Sequence, residues 1–268
     1  MKLLILFIYS ENELYRKMLE IQRTYINKFE NVTSYFIEMR ETQTNPVEIE
    51  DDFIFVRGKE GLLRILYKTI ESIKYILDQP PTMLRSNISG SLQESSTATS
   101  PHYDFILRTN ISTIVNIPLV LSKLTTYPKT GIYTSGLVNV LKRLDPASGV
   151  KDPKFIGIRF ASGTSIILSN DVARHLVENK NKLRRDVIDD VSIALYVAQY
   201  LPNVYSNIYN YKLNTAGTSR VLEKKDVHIN SYFFRNRIKW NINERANDII
   251  NMKTVCGVYY AEPVGAQA

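Results

Sequence analysis

Apolar and polar positions along this chain form blocks that predict alternating strands and helices. The first apolar run, residues 3–9, has the length of a buried strand. Residues 13–29 then carry apolar side chains at intervals of three and four, the period of an amphipathic helix, with Ser10 or Asn12 as its cap. The same patterns predict further strands at residues 32–38, 53–56, 131–133, 155–160 and 164–168, and further helices at 61–77, 169–179 and 187–200.

This order of elements indicates the fold class. Strands that alternate with helices favour a mostly parallel sheet flanked by helices. Neither an internal repeat nor a dividing linker is visible, so residues 1–268 are predicted to form one α/β domain. A segment rich in Ser and Thr, residues 86–101, is predicted to be a surface loop, either inert or a mobile flap over a site.

One predicted strand ends abruptly in polar residues. Residues 105–107 form a short apolar run, which Arg108, Thr109, Asn110 and Ser112 follow. Open α/β sheets bind ligands at the carboxyl ends of their strands, so these side chains are candidates for a binding site. An ordinary strand end with a polar cap explains the same residues, and both interpretations stay open.

Two adjacent carboxylates, Asp189 and Asp190, lie in the first turn of the last predicted helix. Acidic residues in the first turn of a helix complement its dipole and cap its free N–H groups, which is a structural interpretation. The functional interpretation is that one carboxylate caps the helix while the other points into a cleft and removes a proton from an attacking hydroxyl. Adjacent residues face different directions, so the two roles are compatible.

The composition of the chain indicates which classes of partner it could bind. The chain has 268 residues, 44% of them hydrophobic, and a net charge of +7, which favours a nucleic acid, a membrane surface or a phosphorylated small molecule. A single cysteine, Cys256, rules out an internal disulfide framework. The apolar N-terminal run is well short of the ~20 residues that span a bilayer, and acidic residues follow it in place of a cleavage site. A cytoplasmic protein without a transmembrane segment is therefore expected.

Four segments resemble one known family, the inverting GT-A glycosyltransferases of the beta-1,3-galactosyltransferase and Fringe type, with their short bacterial and viral relatives. The four segments occur in the same order as in the family. The first is residues 61–75, with Leu-Tyr-Lys-Thr-Ile at 66–70, and the second is the strand at 103–112. The third is the aromatic-x-Ser-Gly segment at 160–169, and the fourth is Ile-Asp-Asp-Val at 188–191. The resemblance spans about residues 3 to 200. It implies a GT-A-like, Rossmann-like domain with a mixed, mostly parallel sheet, whose residues 1–118 bind the donor and whose residues 119–268 bind the acceptor.

The activity implied by this resemblance is sugar transfer with inversion, from a nucleotide-diphosphate sugar, expected to be a UDP-sugar, to a hydroxyl of a glycan or glycoconjugate. Asp190 would be the general base, and Asp189 would support it or contact the acceptor. Ser162 and Gly163 would line the acceptor, because glycine lets a sugar approach the backbone closely. The residues expected around the donor are Ser10, Lys68, Arg108, Thr109, Asn110 and Ser112.

The chain departs from the family at the metal motif. Asn110-Ile111-Ser112 stands where the family has an Asp-x-Asp run that binds Mn²⁺ or Mg²⁺. Either Asn110 and Ser112 hold an ion together with the diphosphate and water, or basic side chains replace it. His228 is a further metal candidate, and a surface histidine without a ligand is its alternative.

Basic side chains at alternating positions could supply that replacement. Arg235, Arg237 and Lys239 share one face of a predicted strand and could bind the leaving diphosphate. A solvated edge strand, kept charged against aggregation, accounts for them equally well.

Two other functions stay open. One is a catalytically inactive sugar- or nucleotide-binding protein of the same fold. The other is a nucleic-acid-binding protein, since 17 Tyr and 10 Phe could stack on bases. No recognisable nucleic-acid module is present and the basic residues are scattered, so a nucleic-acid partner is not expected.

Overall fold

A computed structural model describes residues 1–79, 103–218, 220–236 and 245–261. In these ranges the strands are β1 (Leu3–Ile8), β2 (Val32–Arg40), β3 (Val47–Glu50), β4 (Phe53–Arg57), β5 (Phe105–Asn110), β6 (Thr113–Val115), β7 (Tyr133–Thr134), β8 (Val138–Val140), β9 (Arg159–Ala161), β10 (Ser165–Ser169), β11 (Thr215–Thr218) and β12 (Phe233–Asn236). The α-helices of the same ranges are α1 (Glu13–Ile26), α2 (Ile65–Asp78), α3 (Ile117–Leu124), α4 (Asn170–Glu178), α5 (Asp189–Tyr200), α6 (Pro202–Ser206) and α7 (Ala246–Tyr259).

The central element is a sheet in the order β3-β4-β2-β1-β5-β10-β7, which counts seven strands within the described residues. Its middle is parallel, because β1 pairs with both β2 and β5 and β2 pairs with β4 in that sense. The strands β3, β10 and β7 join antiparallel. The expected mixed, mostly parallel α/β sheet flanked by helices is therefore confirmed.

Helices cover both faces of this sheet, which explains why β1 is apolar along its whole length. Leu4 and Leu6 face a core shared with α2, α4 and α5. Leu3, Ile5 and Phe7 face a second core shared with α1, α3 and α7. The alternation of side chains along a strand thus divides one apolar run between two cores.

A second, three-stranded sheet, β11-β12-β6, lies next to the carboxyl end of β5. A two-residue turn, Ile111-Ser112, carries the chain from β5 into β6. Arg235 on β12 pairs in register with Thr113 on β6. This connection brings β12, which is distant in sequence, to the polar end of β5.

Local signals located most helices and strands of the first half. Asn12 caps α1, since its side-chain oxygen accepts the N–H of Tyr15 at 2.8 Å. The strand predicted at residues 155–160 starts too early, since only residues 159 and 160 of it belong to a strand. A 3₁₀ turn covers Pro153–Phe155 and the strand begins only at Arg159, because Gly157 adopts a positive φ of 92° that interrupts extended backbone.

The structure contains elements that the sequence did not predict, and it leaves some predicted features undescribed. The elements β3, β6, α3, β8, α6, β11 and α7 are additional. The loop at residues 86–101, together with Arg237 and Lys239, lies outside the described residues. Among the helices that are described, none is both long enough and apolar enough to cross a membrane.

Candidate active site

The candidate site lies at the carboxyl ends of β1 and β5, which end side by side because Ile8 and Asn110 are in register. The partly exposed Ser10 follows β1 here. The turn before β10 reaches the same edge, since Ser165 pairs with Thr109. The parallel pairing of β1 with β5 and the antiparallel pairing of β10 with β5 therefore gather residues of the first and second halves of the chain at one edge of the sheet.

A buried ion pair joins two of the candidate residues. Arg108 Nη2 lies 2.7 Å from Asp189 Oδ2, and the two side chains are 3% and 2% exposed. Arg108 Nη1 also donates to Asn110 Oδ1 at 3.1 Å and to the carbonyl oxygen of Gly163. Arg108 is thus held by groups of the protein itself, and its charge is balanced by Asp189.

Gly163 sits between the buried arginine and the second carboxylate. Its N–H donates to Asp190 Oδ2 at 3.2 Å, while its carbonyl accepts from Arg108. A Cβ at this position would lie 2.6 Å from Arg108 Nη1. Only glycine lets the backbone approach the guanidinium this closely, which is a physical reason for the Ser-Gly sequence here.

Asp190 is partly exposed and firmly oriented. Its Oδ1 accepts the N–H of Val191 at 2.8 Å, and its Oδ2 accepts that of Gly163. Burial, followed by the charge of Asp189, raises the pKa of Asp190 from 3.8 to about 7, against the opposing effects of the Gly163 N–H and Arg108. A carboxylate with a pKa near neutrality is suited to accept a proton.

Arg235 supplies a second guanidinium beside this carboxylate. Its Nη1 donates to the hydroxyl of Thr164 at 2.6 Å, and its Nε has no hydrogen-bond partner among the described residues. Burial chiefly, and then the charge of Arg108, lower the pKa of Arg235, while Asp190 opposes them. Unlike Arg108, Arg235 has no ion-pair partner in the described part of the chain.

Thr164 is a connecting residue that the sequence did not single out. Its carbonyl accepts the hydroxyl of Thr109 at 2.5 Å, and its own hydroxyl holds Arg235 and lies 3.2 Å from Ser162 Oγ. Thr109, Ser112 and Ser162 are all buried. The side chains of these three candidates therefore support the site from inside the protein.

Lys68 is also buried, and it fixes the end of β1. Its Nζ donates to the carbonyl of Tyr9 and to Glu60 Oε1, both at 2.6 Å. Burial lowers the pKa of Lys68, and the charge of Glu60 opposes this effect. Lys68 thus holds the backbone that leads to Ser10, with Glu60 as a partner that sequence reasoning missed.

Gln22 is another residue that the sequence did not reveal. This fully buried side chain donates to the carbonyls of Ile111 and Thr113 at 2.8 and 2.9 Å. It thereby fixes the turn that follows Asn110. An apolar helix face with one glutamine gives no signal of such a partner, since the turn lies far along the chain.

The metal candidates do not fit a divalent ion. Asn110 Oδ1 accepts from the Arg108 guanidinium, so a cation at this oxygen would face another cation. Ser112 is buried, and His228 is an exposed residue whose carbonyl accepts from Tyr259. Among the described residues, no three His, Cys, Asp or Glu side chains gather to hold a metal ion.

Comparisons with known proteins add little. No family model matches the chain, and no curated protein matches its sequence. A solved structure with some likeness is the glycosyltransferase GlyE of Streptococcus pneumoniae, at 9% identity and a TM-score of 0.39. The alignment covers 99% of this chain and 66% of that one. A likeness this slight carries no argument about function.

Proposed function

We propose that this protein is a glycosyltransferase that moves a sugar from a nucleotide-diphosphate sugar to an acceptor hydroxyl. The observation that carries the proposal is Asp190, a partly exposed carboxylate with a pKa near 7, fixed by two backbone N–H groups at the carboxyl edge of the sheet. Ligands bind at this edge in open α/β folds. The order of the four family-like segments supports the same activity.

The proposed chemistry is a single displacement. Asp190 takes the proton of the acceptor hydroxyl while the hydroxyl oxygen attacks the anomeric carbon of the donor. The bond from that carbon to the diphosphate breaks on the opposite side, and its electron pair leaves with the diphosphate, so the configuration inverts. Because Gly163 and Val191 hold both carboxylate oxygens, the base is already oriented before the acceptor binds.

The leaving diphosphate gains negative charge, which a cation must stabilise. We assign this role to Arg235, because it has no ion-pair partner among the described residues, whereas Asp189 already balances the charge of Arg108. A guanidinium suits a diphosphate, since it donates several hydrogen bonds in one plane. A UDP-sugar is the proposed donor, with Ser10 and Asn110 on its side of the site and Gly163 on the acceptor side.

The test compares Asp190→Asn with wild type in two assays. Thermal stabilisation by UDP, GDP and their sugars reports donor binding, and release of the nucleotide in the presence of glycan acceptors reports transfer. We expect Asp190→Asn to keep the donor-dependent shift and to lose at least a hundredfold in transfer, within the ~10²–10⁴-fold contribution of general bases. Asp51→Asn is the matched control, because Asp51 is an exposed turn residue at φ 53°, a conformation that asparagine also adopts.

The outcomes separate the candidate functions. Wild-type transfer by Asp190→Asn would remove the proposed base. A donor-dependent shift in wild type without any transfer would favour the inactive binding protein. Absence of a shift with every nucleotide would refute nucleotide-sugar chemistry altogether.

A further inference from the structure

The strands β8 and β9 pair antiparallel as a small sheet, and the chain beyond them forms an arm. On this arm the N–H of Gly157 donates to the carbonyl of Leu141 at 2.8 Å, and Asp145 and Val150 exchange two backbone hydrogen bonds at 3.0 Å. Leu141 and Asp145 are four residues apart, so the chain between the two pairs spans at most about 14 Å. Residues 140–156, here named the arm tip, therefore form one compact patch.

Three aliphatic side chains are exposed on the arm tip. Val140, Leu144 and Ile156 are 40%, 41% and 43% exposed. Other apolar side chains of the tip pack against Val191 of α5 in a small core, namely Leu141, Val150 and Phe155. The three exposed side chains belong to none of the cores, and their contact with water is unfavourable unless a partner covers them.

The arm tip also carries an excess of positive charge, with four exposed cations against two aspartates. Asp152 pairs with Lys154 at 2.7 Å, and Asp145 accepts the hydroxyl of Ser148 at the same distance. The other cations of the tip have no ion-pair partner in the described part of the chain, and they are Lys142, Arg143 and Lys151. Exposed aliphatic and cationic side chains thus alternate on one patch.

The arm is attached to the candidate active site at two points. The strand β9 ends at the residue before Ser162, so it leads directly into the turn that holds Gly163. The N–H of Ile188, two residues before Asp190, donates to the carbonyl of Ser148 at 2.9 Å. A partner that binds the arm tip therefore lies close to the carboxylate of Asp190.

We propose that the arm tip docks this protein on an anionic lipid bilayer. Exposed aliphatic side chains enter the interfacial layer of a bilayer while neighbouring cations contact the lipid phosphates, and the tip supplies both groups. A nucleic acid would use the cations but not the aliphatic side chains. Bases stack on aromatic rings, and Phe155 of the tip is buried. Docking would hold the candidate site near the membrane surface.

The test measures binding of the full chain to lipid vesicles by co-sedimentation. Vesicles of phosphatidylglycerol mixed with phosphatidylcholine supply the anionic surface, and pure phosphatidylcholine vesicles are the uncharged comparison. We expect binding to the mixed vesicles to be more than about tenfold tighter. Replacing both Lys142 and Arg143 with alanine should weaken it about 25-fold, since each cation near an anionic surface contributes about fivefold.

Matched variants outside the arm control for charge and for apolar surface. Lys224→Ala combined with Lys225→Ala also removes two adjacent exposed lysines and lowers the net charge equally, but should leave vesicle binding unchanged. Leu144→Ser should weaken binding about fivefold, because roughly half of a leucine side chain loses its burial in lipid. Val221→Ser changes a residue that is 46% exposed outside the arm and should bind as wild type does.

Three results would overturn the inference: no binding to the mixed vesicles, equal weakening by the control lysine pair, or unchanged binding in Leu144→Ser. Tighter binding of single-stranded DNA than of vesicles would assign the tip to a nucleic acid. Dimerisation that Leu144→Ser abolishes, without vesicle binding, would assign it to a second copy of the chain. These measurements need neither donor nor turnover, so vesicle binding and the proposed transfer succeed or fail independently.

Discussion

The raised pKa of Asp190 predicts that its removal stabilises the protein at high pH. In the folded state this pKa is about 7, against 3.8 for an ordinary aspartate. A raised pKa means that the folded state favours the protonated form. Its contribution to stability is complete below the unfolded pKa and is lost as pH rises through the folded one. Asp190→Asn cannot titrate, so it avoids this loss.

The magnitude follows from the two pKa values. Each pKa unit corresponds to about 1.4 kcal/mol, so ionised Asp190 costs about 4 kcal/mol above pH 7 as an upper bound. Part of that cost is already present at pH 5, where an unfolded aspartate is ionised. Between about pH 5 and pH 8, the stability of Asp190→Asn relative to wild type should rise by about 2–3 kcal/mol.

Urea denaturation at both pH values measures this difference directly. The asparagine loses part of the hydrogen bonding to Gly163 and Val191, but that cost is the same at both pH values and cancels. Asp51→Asn should follow the wild-type profile. A constant difference between Asp190→Asn and wild type across the pH range would refute the raised pKa, and with it the main support for Asp190 as the base.

The remaining predictions concern the groups around this carboxylate. Gly163→Ala should lower the free energy of unfolding by about 1–3 kcal/mol, because the new methyl group meets the Arg108 guanidinium. Urea denaturation measures this free energy, and an unchanged value would contradict that contact. Arg108→Met should cost about 3–5 kcal/mol by leaving Asp189 buried without a partner, and adding Asp189→Leu should recover part of the loss in a double-mutant cycle. Gln22→Leu should cost on the order of 3 kcal/mol, because two buried carbonyls of the turn after β5 lose their donor, and hydrogen exchange should then show faster opening of that turn. Transfer, if the proposed function holds, should fall as pH drops below about 7, since protonated Asp190 cannot act as a base, and a flat rate profile would exclude it.

Which elements could be predicted depended on how local their signals are. The apolar run of β1 and the helical period of α1 each lie within one segment, so both elements could be predicted from the sequence. The sequence left Ser10 or Asn12 as the cap of α1, and the structure shows that it is Asn12. The pairing of β6 with β12 could not be predicted, because the two strands are more than a hundred residues apart in the sequence.

The sequence by itself determined the alternation of strands and helices, the buried character of the central strands and the adjacency of Asp189 and Asp190. These follow from side-chain periodicity, which acts over a few residues. Only the tertiary structure decided that Arg108 neutralises Asp189 and that Asp190 keeps a raised pKa beside Arg235, which has no ion-pair partner among the described residues. The physical reason is that burial and charge pairing depend on which strands lie side by side, and no local pattern along the chain specifies which distant strands become neighbours.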